Sequence, residues 1–385
     1  MLPDWPLDPD VTYLNHGTVG VTPNKVLEAQ MAIRDEAERA PSQFLLRRQY
    51  SFAGTGGRPT IVRQAAESIA PHFGARGSDV VFVDNATTGV NAVLRSVDLS
   101  PGDELLITDH AYGATLRAAQ FVAREHHATV RIAKVPYPDF NRERLIDAVA
   151  AAITPRTRIA VLDHVTSESA LIFPLAELAS VCKERGVPVL ADAAHAPGML
   201  PIDVVRLGVA WYTGNLHKWA CSPRSCGILW AAPVWQSGLH PPVISWGLDQ
   251  GFTAEFDWTG TRDVSAWLAA PDGLRFLEEL GQHEVWEHNH GLAWDGAQLL
   301  ANRWGSTLGF RESDIGFMAT VQMPAAAGSN SLDALRVRDA LLFDHQIEVQ
   351  VHAAHGRVWA RISAQVYNEI SDVERLAEAV LQIVA

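Results

Sequence analysis

Lysine and cysteine are scarce in this sequence of 385 residues. The chain has three cysteines, Cys182, Cys221 and Cys226. A number that is both small and odd argues against a disulfide framework and indicates a reducing compartment. The N-terminal segment has neither a basic head nor an apolar run, so we expect no signal peptide and a cytoplasmic location. Lysine occurs at four positions, so chemistry that requires a lysine amine has few candidates.

Other absences exclude whole classes of protein. The formal net charge of −13 argues against a surface that binds nucleic acid. No run reaches the ~18 uncharged apolar residues that a membrane span requires. The sequence lacks a GxxxxGK(S/T) phosphate loop, a CxxC pair and an HExxH helix, which removes P-loop hydrolases, zinc ribbons and zincin proteases in their usual forms.

A metal-dependent hydrolase built on the 15 histidines is a further class to weigh. The segment His288-Asn289-His290 is its best candidate, but it falls in a charged, helical stretch. Such a setting favours solvated histidines over metal ligands. We therefore predict no metal site.

Short apolar runs alternate with helical periodicity in the first half of the chain. The runs lie at 80–83, 104–108, 129–135, 158–162 and 187–191. Continuous β-branched runs between helices are typical of a parallel sheet buried on both faces, and hence of a doubly wound α/β fold. Such sheets bind ligands at the carboxyl ends of their strands.

The pattern changes after about Pro271, where a long helical stretch at 272–300 is followed by shorter strands. This change predicts a smaller α+β unit. We therefore predict an N-terminal arm at 1–20, a large α/β domain at 21–265 and a small C-terminal α+β domain at 266–385.

Polar side chains follow several of the predicted strands. The turn at 84–89 (DNATTG) enters a helix and suits a phosphate, although an N-cap by Asn85 or Thr87 explains the same residues. Asp109-His110-Ala111-Tyr112 offers a ring that stacks on a flat ligand, or equally a capping aspartate and a packed tyrosine. Asp192 ends a buried strand, where a carboxylate needs a cation or a hydrogen-bond donor, and His195 follows three residues later.

Lys218 is the lysine best suited to chemistry. It lies among apolar, aromatic and small residues, whereas Lys25 and Lys183 have charged neighbours on predicted helices. Burial disfavours the ammonium form and so supplies the free amine that a Schiff base requires. A phosphate cradle, a stacking ring, a carboxylate and a lysine at one sheet edge match the needs of pyridoxal phosphate.

Eight segments in a fixed order resemble the class V, fold-type-I pyridoxal-phosphate enzymes, in the isopenicillin N epimerase-like branch. These segments, which span nearly the whole chain, are YLNHGTVG (13–20), DNATTGVNAV (84–93), TDHAYGA (108–114), HVTSESALIFP (164–174), ADAAHAPG (191–198), TGNLHKW (213–219), WTGTRD (258–263) and RISAQVYN (361–368). The resemblance implies the fold-type-I transferase fold, a mainly parallel sheet with helices on both faces, and pyridoxal 5'-phosphate as the cofactor.

The resemblance also implies roles for single residues at the cofactor. Lys218 would form the Schiff base, Asp192 would pair with the ring nitrogen, and His195 would lie near the phenolic oxygen. His110 aligns with the residue that stacks on the ring, a role for which Tyr112 competes. The remaining cofactor-binding residues would be Asn85, Ala86, Thr87, Thr88, Thr213 and His217, with Thr261 reaching the phosphate of a neighbouring subunit in a homodimer with shared sites.

On the substrate side, the resemblance implies that Arg361 clamps the α-carboxylate of an amino acid through a bidentate contact. Asn15, His16 and Ser167 would line the same region. Ser167 stands where cysteine desulfurases often carry asparagine. The segment 51–59 departs from the family pattern, and we interpret it as a lid over the substrate or a flexible connection.

The cofactor alone leaves the reaction open, because it stabilises an α-carbanion and the surrounding residues decide how that carbanion reacts. A cysteine desulfurase needs a nucleophilic cysteine on a loop in the C-terminal third, but the last cysteine here is Cys226. Our leading prediction is an amino-acid epimerase or racemase, with Lys218 on one face and Tyr112 or His16 on the other. The alternatives are a C–S or other β-eliminating lyase, then an aminotransferase, and, from another class, a non-catalytic binding protein.

Overall fold

A seven-stranded sheet forms the centre of the molecule. The structure is a computed structural model and describes residues 2–50 and 59–385. All neighbouring strands run parallel except Gly227–Ala231, which is antiparallel to both of its neighbours. The order across the sheet is Val80–Val83, Gly227–Ala231, Trp211–Asn215, Val189–Asp192, Thr157–Asp163, Glu104–Thr108 and Thr129–Ala133. The predicted mainly parallel α/β sheet is therefore confirmed.

Both faces of this sheet are covered by apolar side chains. In the strand Val80–Val83, Val80 and Phe82 belong to one core cluster, whereas Val81 and Val83 belong to another. Alternate residues of a strand point to opposite faces, so the two clusters lie on opposite sides of the sheet. Burial on both faces explains why the strands appear in the sequence as unbroken apolar runs.

Helices pack around the sheet and continue into the C-terminal part. The longer ones are Asn24–Arg39, Ile61–Ile69, Ala86–Ser96, Gly113–Glu125, Arg142–Ala152, Leu175–Lys183, Ala270–Leu280, Gln282–Trp304, Ser331–His345 and Ile370–Val384. Short helical segments occur at His16–Val19, Pro41–Gln43, Val204–Leu207, Phe252–Asp257 and Ser265–Leu268, and Phe44–Gln49 forms a π-helix. Within residues 2–50 and 59–385, no helix combines the length and the apolar character needed to cross a bilayer.

Two helical features differ from the prediction. The stretch predicted as one helix at 272–300 is two helices that meet at Gly281, whose φ of +82° breaks the helical conformation. The helix Ser331–His345 was not predicted. Its exposed surface carries Leu332, Leu335 and Phe343, and apolar residues on that side remove the periodicity that marks an amphipathic helix.

A three-stranded antiparallel sheet lies in the C-terminal part, in the order Gln350–Ala354, Arg357–Ser363, Met318–Gln322. The N-terminal arm reaches this region, because Thr12–Tyr13 pairs in parallel with Ile347–Glu348. The arm therefore lies beside the strand that carries Arg361. The division of the chain into 1–20, 21–265 and 266–385 stays a prediction.

Close backbone approaches hold the loop that carries Lys218. Gly198 has a φ of +84°, and a Cβ at this position would overlap the backbone carbonyl of Trp219. Gly20 has a φ of +69°, and a Cβ there would overlap the carbonyl of His217. Because a side chain is excluded on both sides, the loop is fixed against two separate segments.

Candidate active site

A cavity of about 610 Å³ lies at the carboxyl ends of the parallel strands. The ends of five strands of the large sheet and the segments after them line it, together with Gln350 and Arg361 from the smaller sheet. This is the position at which a doubly wound sheet is expected to bind its ligand. The predicted residues in its lining are Asn85, Ala86, Thr87, Thr88, Tyr112, Ser167, Asp192, His195, His217, Lys218 and Arg361.

Lys218 follows the strand Trp211–Asn215 and is 8% exposed. Its Nζ lies 3.2 Å from Nε2 of His195, and it has no ion-pair partner among the described residues. Burial, reinforced by the charge of Arg361, lowers the pKa of Lys218 to about 7. A large fraction of this amine is therefore uncharged near neutral pH.

The ring of His16 fixes the backbone of the lysine loop. Its Nε2 donates to the carbonyl of Lys218 at 3.0 Å, and its Nδ1 accepts from the hydroxyl of Tyr367 at 2.9 Å. Burial lowers the pKa of His16 to about 4, so the ring is neutral. His16 is fully buried and lies outside the cavity lining, which differs from its predicted place on the substrate side.

Asp192 ends a buried strand and accepts hydrogen bonds from the hydroxyl of Thr115 at 2.7 Å and from the N–H of Ala194 at 3.3 Å. Burial raises its pKa. Its partner on the adjacent strand is Asp163, whose pKa is held well above the ordinary value by burial and by the charge of Asp192. Neither carboxylate has an ion-pair partner in the described part of the chain, so a cationic group in the cavity would stabilise them.

Asp163 was missed in the sequence, because the strand was predicted to end one residue earlier. The sequence does mark Asp163, because this carboxylate follows an apolar run directly, as Asp192 does. Asn215 was also missed. Its Oδ1 accepts the backbone N–H of Ala86 at 2.8 Å, which joins the end of one strand to the start of the helix Ala86–Ser96.

The start of the helix Ala86–Ser96 forms one end of the cavity. Asn85 caps this helix by accepting the N–H of Thr88 at 2.9 Å, so the capping alternative is correct for Asn85. The capped turn still lines the cavity, where the positive end of the helix dipole favours an anion. His217 lies in the same lining and donates through Nδ1 to the carbonyl of Cys226 at 2.9 Å.

Thr213 is not part of this lining. Its hydroxyl donates to the carbonyl of Ile228 at 2.8 Å, and the side chain is fully buried beneath Gly89. Thr213 therefore lies outside the described lining, and its contact with the cofactor stays a prediction. Its buried position lets the helix Ala86–Ser96 approach the sheet closely.

The rings of His110 and Tyr112 are the two candidates for stacking on a flat ligand, and they occupy different positions in the structure. Tyr112 lines the cavity and is 47% exposed. His110 does not line it, because its Nδ1 is hydrogen-bonded to Ser169 at 2.7 Å and its ring contacts Tyr137. Tyr112 is therefore the ring that lines this cavity, and the assignment of the stacking role to His110 or Tyr112 stays a prediction.

Arg361 is 2% exposed and donates through Nη1 to the carbonyl of Ser167 at 2.5 Å and through Nη2 to the hydroxyl of Thr18 at 2.8 Å. Its Nε is buried without a partner among the described residues. Burial lowers the pKa of Arg361 to about 10, and the group remains charged. A buried guanidinium that lacks an anion suits the carboxylate of an incoming ligand.

Asn15 and Thr261 also lie outside the lining. The amide of Asn15 donates to Glu348 at 2.7 Å and its Oδ1 accepts from Thr18, so Asn15 supports Thr18, which does line the cavity. Thr261 is exposed on the surface of this chain.

The donors and acceptors of the cavity fit pyridoxal phosphate. The helix start suits the phosphate, the carboxylate of Asp192 suits a protonated ring nitrogen, and the amine of Lys218 suits the aldehyde. His195 adds an unsatisfied group, since its Nδ1 is buried without a hydrogen-bond partner in the described residues. Metal-binding clusters of three or more histidines, cysteines or carboxylates are absent from the described residues.

Comparisons with known proteins agree with this chemistry. The family model for class V aminotransferases matches residues 55–376. A putative L-cysteine desulfhydrase of Oryza sativa subsp. japonica is 32% identical over 97% of this chain and 83% of its own length. The isopenicillin N epimerase of Streptomyces clavuligerus is 32% identical over 97% of this chain and 95% of its own length.

The solved structure of a cystine C–S lyase bound to cysteine persulfide superimposes with a TM-score of 0.79 at 21% identity, with 97% of each chain covered. A likeness at that identity shows the fold, and the predicted fold-type-I architecture is confirmed. The family model covers most of the sequence, and both curated relatives exceed 30% identity over nearly all of it. The chain therefore belongs to the class V aminotransferase family of pyridoxal-phosphate enzymes.

Proposed function

We propose that this enzyme is a C–S lyase that acts on an amino acid with sulfur at Cβ. One observation carries the proposal: the cavity contains a single buried lysine, Lys218, whose pKa is lowered to about 7. One base is sufficient for β-elimination, because the α-proton is removed once and the sulfur then leaves. Relatives named L-cysteine desulfhydrase support the lyase, and a relative named isopenicillin N epimerase has similar identity, so the choice between the two depends on the count of bases in the cavity.

When bound, pyridoxal phosphate withdraws electrons from Cα of the amino acid and so stabilises negative charge there. Asp192 would keep the ring nitrogen protonated, and His195 would lie near the phenolic oxygen. The ring of Tyr112 lines the same cavity. Asn85, Ala86, Thr87, Thr88 and His217 would hold the phosphate at the helix start.

Arg361 binds the α-carboxylate of the substrate, and Lys218 takes the α-proton on its Nζ. The Cα–H electron pair then forms the Cα–Cβ double bond while the Cβ–S pair departs on sulfur. The ammonium of Lys218 is the proton source for the departing thiolate. With one water, the products of the whole reaction are a thiol, pyruvate and ammonium, and no oxidant is consumed.

A persulfide-forming desulfurase is disfavoured. Cys182, Cys221 and Cys226 are all buried, and none of them lines the cavity. Burial raises the pKa of Cys182 to about 11 and raises those of the other two further, so the reactive thiolate is suppressed. Elimination that releases a free thiol needs no such cysteine.

An amino-acid epimerase is the second candidate. The specific observation in its favour is the hydroxyl-bearing ring of Tyr112, which lines the same cavity as Lys218. Epimerisation requires a proton donor on the face opposite the lysine, and Tyr112 is the group available for that role.

We also propose a homodimer in which Thr261 completes the phosphate site of the partner subunit. Thr261 is exposed and does not line the cavity of its own chain. The nearby segment 234–248 exposes several large apolar side chains, among them Val234, Val243 and Ile244. Exposed apolar surface of this kind is typical of an interface.

Incubation of the cofactor-loaded enzyme with L-cysteine in deuterium oxide separates the two candidates. A lyase releases sulfide and pyruvate, whereas an epimerase returns both enantiomers of the amino acid with deuterium at Cα. We expect pyruvate, and we expect Tyr112→Phe to retain the release because elimination uses Lys218 alone as base. Racemised, deuterated substrate without pyruvate would support the epimerase and contradict the proposal.

The buried amine of Lys218 predicts a pH-dependent stability of the cofactor-free chain. Its pKa is about 7 when folded and 10.5 in the reference state, so the unfolded chain binds more protons between these values. This lysine therefore lowers the free energy of unfolding at pH 7, and the penalty disappears as pH rises towards 10.5.

Lys218→Met removes that penalty, so we expect the variant to be more stable than the parent at pH 7, with a difference that shrinks as pH rises. Urea unfolding across this range measures the effect. Lys183→Met, at an exposed position, is the control and should leave the slope unchanged. If the free energies of unfolding of Lys218→Met and the parent differ by the same amount at every pH, the lysine is not desolvated.

Arg361→Lys should raise KM for the amino acid about 10- to 100-fold and change kcat less, because lysine cannot reproduce a bidentate contact with a carboxylate. Arg357→Lys, an exposed position on the same strand, is the matched control and should leave KM unchanged. Steady-state kinetics on both variants tests the assignment. An unchanged KM in Arg361→Lys would remove Arg361 from the substrate site.

Shared sites predict complementation between two inactive variants. Thr261→Glu places a carboxylate beside the partner's phosphate, and Lys218→Ala removes the base, so each variant alone should be inactive. Their mixed dimer has one site with both native residues and should regain activity. Thr307→Glu, exposed elsewhere, is the control for the added charge. Sedimentation at one chain mass of 42.0 kDa, or no recovery on mixing, would contradict the dimer.

A further inference from the structure

A second cavity of about 350 Å³ adjoins the first. Tyr112, Ser167 and Gln350 line both cavities, so the two spaces meet at these side chains. The rest of its wall comes from the loop 109–113, from Tyr137, from Glu168 and Ser169, and from the strand Gln350–Ala354 with the turn after it. A side chain extending from the amino acid in the first cavity would enter this space.

Two histidines of this second cavity, His110 and His352, are neutral. Burial lowers the pKa of His110 and that of His352 to about 4 each. Nδ1 of His352 is buried and has no hydrogen-bond partner among the described residues. Across the described residues, the lining contains no lysine or arginine, so no permanent cation faces the space.

Two carboxylates contribute to the same wall. Asp109 forms an ion pair with Lys134 at 3.4 Å and accepts the N–H of Val135 at 2.8 Å. Glu168 is exposed and forms no ion pair in residues 2–50 and 59–385; partial desolvation of its carboxylate raises its pKa, and the charge of Arg361 acts in the opposite direction. Glu168 is therefore an accessible carboxylate in the lining without a direct ion-pair partner.

Tyr137 adds an aromatic surface. Its ring lies among those of His110, Trp359 and His355, with centroids 5.0, 5.4 and 5.5 Å away. Burial raises its pKa above the ordinary value, so the hydroxyl is neutral. An aromatic face beside an unpaired carboxylate attracts a cation by two independent effects.

We propose that the second cavity binds a positively charged group at the far end of the substrate's side chain. The substrate is then an amino acid whose side chain is longer than that of cysteine and ends in an ammonium-type cation. Glu168 supplies the opposite charge, Tyr137 the aromatic face, and His352 an acceptor nitrogen. The inference rests on the proposed function, because Arg361 and Lys218 fix the amino-acid end in the first cavity.

L-Lysine and L-2-aminoadipate test this assignment, since their side chains are similar in length, opposite in terminal charge and free of a sulfur leaving group. Calorimetric titration of the cofactor-loaded enzyme should give L-lysine a Kd lower by about tenfold or more. In Glu168→Gln the ratio of the two Kd values should fall to about threefold or less. Glu184→Gln, an exposed position at the end of the helix Leu175–Lys183, should keep the native ratio.

Equal Kd values in the native enzyme, or a ratio that persists in Glu168→Gln, would overturn the inference. Pyruvate release from S-(2-aminoethyl)-L-cysteine, which has sulfur at Cβ and a terminal ammonium, is measured on the same samples and keeps the two proposals separate. Pyruvate release without discrimination between the probes contradicts the side-chain subsite alone. Discrimination that depends on Glu168 without pyruvate release contradicts the lyase and supports the subsite.

Discussion

Burial of charged groups that lack ion-pair partners is the constraint on which the site depends. Lys218, Arg361, Asp163 and Asp192 line one cavity, and none of them forms an ion pair within the described residues. Burial of these groups without partners lowers the stability of the chain when no ligand is bound, because desolvation disfavours each charged form. The surrounding structure maintains this arrangement with neutral donors and acceptors: Thr115 for Asp192, the carbonyl of Ser167 for Arg361, and the ring of His195 for Lys218. In the proposed function, a zwitterionic amino acid and a cofactor with a phosphate and a cationic ring nitrogen would supply the missing opposite charges.

The two sheets contribute different groups to the site. The large parallel sheet presents the lysine, the carboxylates and the helix start, which are the groups that the cofactor needs, at its carboxyl edge. The smaller sheet presents Arg361, and the N-terminal arm that pairs beside it presents Thr18. Substrate recognition in this account arises where the two sheets face each other, and the second cavity continues along the same boundary. We expect changes in that boundary to alter substrate choice, while the groups on the large sheet keep the cofactor chemistry.

Much of this organisation could be predicted from the sequence, because strands buried on both faces appear as apolar runs and their polar ends mark the ligand edge. Lys218, Asp192 and His195 stood out on that basis. The antiparallel strand Gly227–Ala231 and the helix Ser331–His345 did not, since the first resembles its parallel neighbours and the second carries apolar residues on its exposed side. His16 and Thr213 belong to segments that reach the site, but their side chains form hydrogen bonds with Tyr367 and with the carbonyl of Ile228. These two residues therefore support the site from outside its lining. Placing His110 and Tyr112 required side-chain positions, because Tyr112 lines both cavities whereas His110 lines the second alone. The segment 51–58 lies outside the described residues, so the lid interpretation of 51–59 stays a prediction.

The central claim is that Lys218, among four lysines, is the amine that carries the cofactor. Reduction of the cofactor-loaded enzyme with borohydride fixes the cofactor covalently to its lysine, and peptide mass mapping then locates it. The account predicts one modified peptide, bearing a pyridoxyl group on Lys218, with Lys25, Lys134 and Lys183 unmodified. A pyridoxyl group on any of those three lysines, with Lys218 unmodified, would contradict it.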